Sequence, residues 1–111
     1  MQTARGNVEY EDLVPGAGPP ATRGCTVSVC YALFLNHGDK VQDQQSGTFR
    51  LGERRVIAGL EYGVEGMRVG GQRRLRVGPH LAYGDKGVPG RIPPDAVLEF
   101  HVTLLAIDYP S

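Results

Sequence analysis

The chain has no surplus of charge of either sign, because twelve basic residues are matched by twelve acidic ones. That balance removes the electrostatic case for a nucleic-acid or anionic-membrane partner. No apolar run approaches the roughly 20 residues that a membrane span requires. The stretch from Met1 to Val8 lacks the basic-then-apolar order of a secretory leader. A cytoplasmic placement is expected, unless the chain is a domain of a longer protein. Cysteine is scarce. Cys25 and Cys30 fall on one expected strand, where five positions span roughly 16 Å and odd spacing puts them on opposite faces. A disulfide cannot bridge that gap, so both are expected as plain thiols. His37, His80 and His101 are scattered without ligand spacing, which gives no basis for a metal site. There is no G-x-S-x-G, and the glycine-rich stretch over 87–90 lacks the lysine and helix start of a phosphate loop.

Turn formers are plentiful. Sixteen glycines and eight prolines in 111 residues suit short strands and tight connections in one domain. Residues 1–7 are expected as a flexible lead-in to a first strand near Val8 to Val14. From Val27 the odd positions Val27, Val29, Tyr31, Leu33 and Leu35 are large and apolar, while Ser28, Cys30 and Ala32 are small. That alternation predicts a strand with one buried face. Asn36 to Asp39 is a turn by composition. Val41 to Gly47 is polar and is expected as an irregular crossing before a short strand with Phe49 and Leu51 on one face. Ile57, Leu60, Val64 and Met67 form the one convincing helical stripe, weakened by Gly63. Two to three turns cannot stand alone in water, so this helix must dock on the sheet.

Leu75 and Val77 are expected opposite Arg74 and Arg76. The arginines at 54, 55, 73, 74 and 76 read as a solvated face rather than a basic patch. Residues 78–95 form a long loop with four glycines and four prolines, and such loops are usually functional or disordered. Its content of Leu81, Tyr83, Val88 and Ile92 favours function. In the last strand (Val97 to Ile107), Leu98, Phe100, Val102, Leu104 and Ala106 are expected to share one face and Val97, Glu99, His101, Thr103, Leu105 and Ile107 the other. The expected fold is α+β: a twisted antiparallel sheet of about five to six strands wrapped around one short helix. A cleft would form between helix and sheet, under the long loop.

From Val56 to Phe100 the sequence resembles the FKBP (FK506-binding protein) family. The resemblance lies in Val56-Ile57-Ala58-Gly59-Leu60-Glu61, then Gly63-Val64-Glu65-Gly66-Met67 and Val69-Gly70. It continues in Ala82-Tyr83-Gly84 and in Ile92-Pro93-Pro94 ahead of Leu98 and Phe100. Val29-Cys30-Tyr31 matches the family's early strand tyrosine, and the likeness extends from about Val8 to Ile107. It implies a peptidyl-prolyl cis-trans isomerase that needs no cofactor. Proline-containing peptides or unfolded proteins would be its partners, with macrolides such as FK506 as further ligands and a monomer as its state. It also implies that Tyr31, Phe49, Val56, Ile57, Tyr83 and Phe100 line the pocket, with Val41, Leu60 and Val88 contributing. Tyr83 would offer its hydroxyl, and Ile92 its backbone N–H, to substrate carbonyls, and Phe100 would pack on the proline ring.

Several positions depart from familiar members. Val41-Gln42 stands where a phenylalanine-aspartate pair is usual, with Asp43 as a stand-in if the turn slips by one. Leu60 replaces a tryptophan floor, and Gly47 falls where another aromatic wall would stand. A leucine floor and a short crossing resemble the family's chaperone-type branch, but Asp85 to Ile92 leaves no room for that branch's inserted domain. These changes imply a shallower pocket with weaker catalysis and reduced macrolide affinity. A binding module with little turnover is the competing reading.

Overall fold

The computed structural model describes residues 2–36 and 38–110. The His37 of the expected turn lies outside the described residues. Six strands form one sheet: β1 (Gln2–Thr3), β2 (Glu9–Val14), β3 (Thr26–Leu35), β4 (Lys40–Arg50), β5 (Gln72–Val77) and β6 (Leu98–Asp108). Their order is β1-β2-β5-β6-β3-β4, and every neighbouring pair is antiparallel. One α-helix, α1 (Ala58–Val64), lies against the sheet. The fold is α+β. Among the described residues no helix is long and apolar enough to cross a membrane.

The alternation of β3 is what buries its face. Val27 and Val29 are fully buried and Leu33 nearly so, between β4 and β6. Leu60 and Val64 carry the stripe of α1 into the same core. The seven-residue helix can sit this close because of two glycines. A Cβ on Gly59 would lie 2.2 Å from Val77 Cγ1, and one on Gly63 would lie 2.4 Å from Leu75 Cδ1. Gly63 therefore costs the helix propensity but permits the approach that buries its stripe.

At the start of the chain β1 pairs with β2, and the Tyr10 hydroxyl donates to Gln2 Oε1 at 2.6 Å. Three expectations are corrected. Val41 to Gly47 is no irregular crossing. It belongs to β4, which pairs along β3 with register shifts opposite Tyr31–Leu33 and Leu33–Phe34. Its polar composition reflects an edge strand, where side chains meet water and charge discourages further pairing. A bulge also interrupts β6: Val29 pairs with Leu104 but Ser28 with Ala106. The extra residue, Leu105, reverses the faces beyond it, so Ala106 is exposed and Ile107 packs on the core.

The third correction is Arg73, which is 6% exposed on the face of Leu75 and Val77 rather than solvated. Its Nε donates to Asp12 Oδ1 at 2.7 Å, and its Nη1 donates to the carbonyls of Gly63 at 2.9 Å and Glu65 at 3.2 Å. The guanidinium also stacks 4.1 Å from the Tyr10 ring centroid. A planar fork can serve several acceptors at once, and here it ties the end of α1 to β2 and β5. Cys25 is buried and Cys30 half-buried, and both are free thiols.

Candidate functional site

The end of α1, the strand β3 and the long loop converge on an open cleft. Its main hollow, of about 430 Å³, is lined by Tyr31, Leu33, Gln42, Arg54, Arg55, Val56, Ile57, Leu60, Tyr83 and Phe100. A second lobe of about 160 Å³ is lined by Leu33, Val41, Gln42, Tyr83, Val88, Arg91 and Ile92. Leu33, Gln42 and Tyr83 belong to both. Leu60 and Phe100 are each 2% exposed and form the floor. Tyr31 meets Phe100 edge to face, with centroids 5.6 Å apart and planes at 61°, an arrangement favoured by the ring quadrupoles. Tyr83 is 39% exposed and stands on the solvent side. Alternation on β3 and β6 supplies Tyr31, Leu33 and Phe100, the approach to α1 supplies Val56 and Ile57, and the loop supplies Tyr83, Val88 and Ile92.

Two expected site residues behave differently. Phe49 is 5% exposed within the core and does not reach the cleft lining. It stands opposite Val27 in the β3–β4 ladder. Ile92 lines the second lobe with its side chain, but its N–H donates to the Val88 carbonyl at 2.8 Å, and the Val88 N–H returns a bond of the same length. This small hairpin turns through Pro89, Gly90 at φ +76 and Arg91, and Gly87 just before it takes φ +64, where a Cβ would lie 2.3 Å from the Ile92 carbonyl oxygen. The Ile92 amide is therefore occupied and is not open to a substrate carbonyl. By contrast, Ile57 lines the main hollow, and its N–H has no hydrogen-bond partner among the described residues. It precedes α1, where the first N–H groups lack intrahelical acceptors.

Of the two candidates for the aspartate position, Gln42 faces the cleft. Asp43 pairs with Lys40 at 3.4 Å and borders a separate hollow beside Cys30 and His101. Beside Gly47 a Cβ would meet only open space, and the residue takes no part in the lining.

Glu61 is a positioning residue whose part the helical stripe could not reveal. It is 3% exposed, and its two carboxylate oxygens accept the backbone N–H groups of Gly52 at 2.9 Å and Arg54 at 2.7 Å. Arg54 is thereby held at φ 59, a conformation few non-glycine residues adopt. The clasp fixes the segment that delivers Val56 and Ile57 to the wall.

Among the described residues the cleft lining contains no carboxylate, imidazole or thiol. Burial pushes the Tyr31 hydroxyl above the usual tyrosine range, and the neighbouring Tyr83 adds to the rise. The arrangement can desolvate and grip an apolar ring and offer it a few hydrogen-bond donors. Among the described residues it offers no nucleophile activated by a base.

Comparison with known proteins bears on the family and the fold. Residues 18–105 match the family model described as FKBP-type peptidyl-prolyl cis-trans isomerase. The chain is 43% identical over 106 residues to FK506-binding protein 4 of Dictyostelium discoideum, a match covering 94% of this chain and 29% of that protein. It is 43% identical over 103 residues to the 46 kDa FK506-binding nuclear protein of Spodoptera frugiperda, covering 89% and 25% respectively. The chain thus spans about a quarter of the length of the curated relatives it matches. Among solved structures, AtFKBP13 superposes with a TM-score of 0.83 at 32% identity, covering 94% of this chain and 95% of that one. A peptidyl-prolyl cis-trans isomerase from Pseudomonas syringae pv. tomato gives 0.85 at 30% identity, covering 96% and 80%.

Proposed function

The chain belongs to the FKBP-type peptidyl-prolyl cis-trans isomerase family, and we propose that its cleft accelerates rotation about X-Pro bonds in peptides and unfolded chains without a covalent step. The observation that carries the reading is the convergence of Tyr31, Val56, Ile57, Leu60, Tyr83 and Phe100 on one open hollow. Its volume lies within the usual range for small-ligand sites. Rotation must cross roughly 18–20 kcal/mol, because the twisted amide loses its partial double-bond character. The twisted state carries less charge separation than the planar one, so a dry apolar wall favours it. Leu60 and Phe100 form the seat for the proline ring. Tyr83, and the Ile57 N–H in place of the occupied Ile92 amide, are the donors for substrate carbonyls.

Exchange NMR on X-Pro peptides tests the reading. Line broadening at catalytic protein concentration supports an enzyme. Shifts of the protein's own resonances without faster exchange support the competing binding module, which the loss of aromatic wall at Val41 and Gly47 favours. The same losses, with Leu60 at the floor, point to macrolide affinity below that of fully aromatic pockets. For the state and compartment of the whole protein our reading is a cytoplasmic monomer, tested by sedimentation and by imaging, since relatives are named as nuclear proteins.

Tyr83→Phe is expected to lower kcat/KM about two- to tenfold. That corresponds to one neutral hydrogen bond of about 0.5–1.5 kcal/mol. Unchanged kcat/KM removes the hydroxyl from the mechanism. Turnover is also expected to stay flat between about pH 6 and about pH 9. None of the residue types lining the cleft ordinarily titrates there, and the one displaced group, Tyr31, moves upward and so stays neutral to higher pH than usual. A bell-shaped or sloping kcat/KM profile would reveal a proton carrier and contradict the proposed mechanism.

A further inference from the structure

The charge of the cleft departs from that of the chain. Overall the chain is neutral, yet among the described residues the two lobes are lined by three arginines and no acidic residue. Arg54 and Arg55 stand in the main hollow beside Val56 and Ile57, and Arg91 stands in the adjoining lobe beside Val41 and Val88. Arg54 donates to the Tyr62 hydroxyl and lies 4.8 Å over that ring, where it also borders a neighbouring hollow shared with Glu61 and Glu65, and Arg91 Nη2 reaches the Val41 carbonyl at 3.4 Å. Neither has a carboxylate partner among the described residues. Arg55 faces Glu53 at 3.8 Å with its side chain 76% exposed, a pair that water and salt largely discount. The positions best placed to cancel this charge do not: position 42 is a glutamine, and Asp43 is turned to Lys40.

We infer that the cleft selects proline segments with acidic residues on either side of the X-Pro unit. The inference rests on the proline-binding reading of the site. A chain whose proline sits on Leu60 and Phe100 must leave the hollow past Arg54 and Arg55 or through the lobe of Arg91. Flanking carboxylates then meet uncompensated guanidinium groups beside low-dielectric walls, where charge attraction exceeds its value in open water. The attraction acts on the bound ground state and the twisted state alike, so it lowers KM more than it raises kcat.

Three peptides that share one Ala-Pro unit and carry Glu, Ala or Lys on both sides test this by exchange NMR. At low salt the Glu peptide is expected to exceed the Lys peptide about fivefold in kcat/KM, chiefly through KM. The ratio should shrink as salt screens the charges and fall toward one in the Arg54→Gln/Arg91→Gln variant. If the Ala peptide is turned over while Glu and Lys peptides are equal, the selectivity is wrong and the isomerase reading stands. A salt-sensitive ratio that survives the double substitution also overturns the assignment to these arginines. If no peptide is turned over, the isomerase reading fails instead. Chemical-shift titration of the protein with the same peptides then decides: tighter Glu binding supports the inference and equal affinities overturn it.

Discussion

Replacing Phe100 with alanine is expected to cost about 3–5 kcal/mol of stability and most of the turnover. The side chain is 2% exposed, belongs to the central core, packs edge to face on Tyr31 and forms part of the cleft floor. Truncation removes both its burial and the partner that holds Tyr31 upright, and it opens a void continuous with the cleft. A domain of this size has about 5–15 kcal/mol in hand, so the variant stays largely folded in the cold and loses much of its margin to heat. Stability and turnover must be separated, and Phe100→Leu does so. It keeps most of the volume, should cost less than about 1.5 kcal/mol, and removes the aromatic face. Denaturant unfolding and exchange NMR on both variants give the result. If Phe100→Leu turns over X-Pro peptides as fast as the parent, the ring has no part in seating proline. If Phe100→Ala loses under about 1 kcal/mol, the core packing described here is wrong.

The elements that were legible in the sequence are those whose period is written in local side chains. The run from Val27 to Leu35 alternates at period two and is a central strand, paired on both sides. Ile57, Leu60 and Val64 step at helical spacing and mark α1. What the sequence concealed depended on partners far along the chain. Arg73 looks like a neighbour of Arg74 and Arg76, yet it sits in the core because Asp12, 61 residues earlier, meets it across the β2–β5 ladder. Edge strand β4 has no buried stripe to announce it, since most of its residues meet solvent. The bulge at Leu105 leaves no composition signal, so the faces assigned beyond it were reversed.

The same division runs through the site. Side chains that make the hollow apolar were readable through the family resemblance, which names them motif by motif, while strand and helix periods alone marked such residues only as inward-facing. Tyr31, Val56, Ile57, Leu60 and Phe100 all fall in the main hollow, with Tyr83 beside them. Backbone donors were not readable, because their availability depends on turn geometry. The Ile92 amide is consumed by its own hairpin, and the Ile57 amide is left without a partner. The arginine rim was concealed for a third reason. Arg54 and Arg55 look like surface charge until the Glu61 clasp on Gly52 and Arg54 fixes the segment that turns toward the cleft.

Gly59→Ala is expected to destabilise the protein by about 1–3 kcal/mol, against the sign that helix propensity assigns it. In an exposed helix interior the change would gain roughly 0.5–1 kcal/mol. Here the new Cβ would stand 2.2 Å from Val77 Cγ1, 3.0 Å from Val77 Cγ2 and 3.2 Å from the Leu81 carbonyl. Val77 cannot yield: it is fully buried, β-branched, and on a strand paired with β2 and β6. The helix must therefore lift from the sheet, and Leu60, the next residue, rises with it, so the floor of the cleft moves as the core loosens. Val77→Ala removes both clashing methyl groups and supplies the control. Alone it should destabilise through the cavity it leaves. Combined with Gly59→Ala it should cost less than the two single changes added together, because the new methyl occupies part of the vacated space, and contacting residues couple in this way. Thermal and denaturant unfolding of the four proteins measure the coupling, and exchange NMR on the folded double variant reports whether a reseated helix restores turnover. Strict additivity, or a Gly59→Ala variant more stable than the parent, would show that α1 does not rest on β5 through this glycine, and the position of the cleft floor would need another cause.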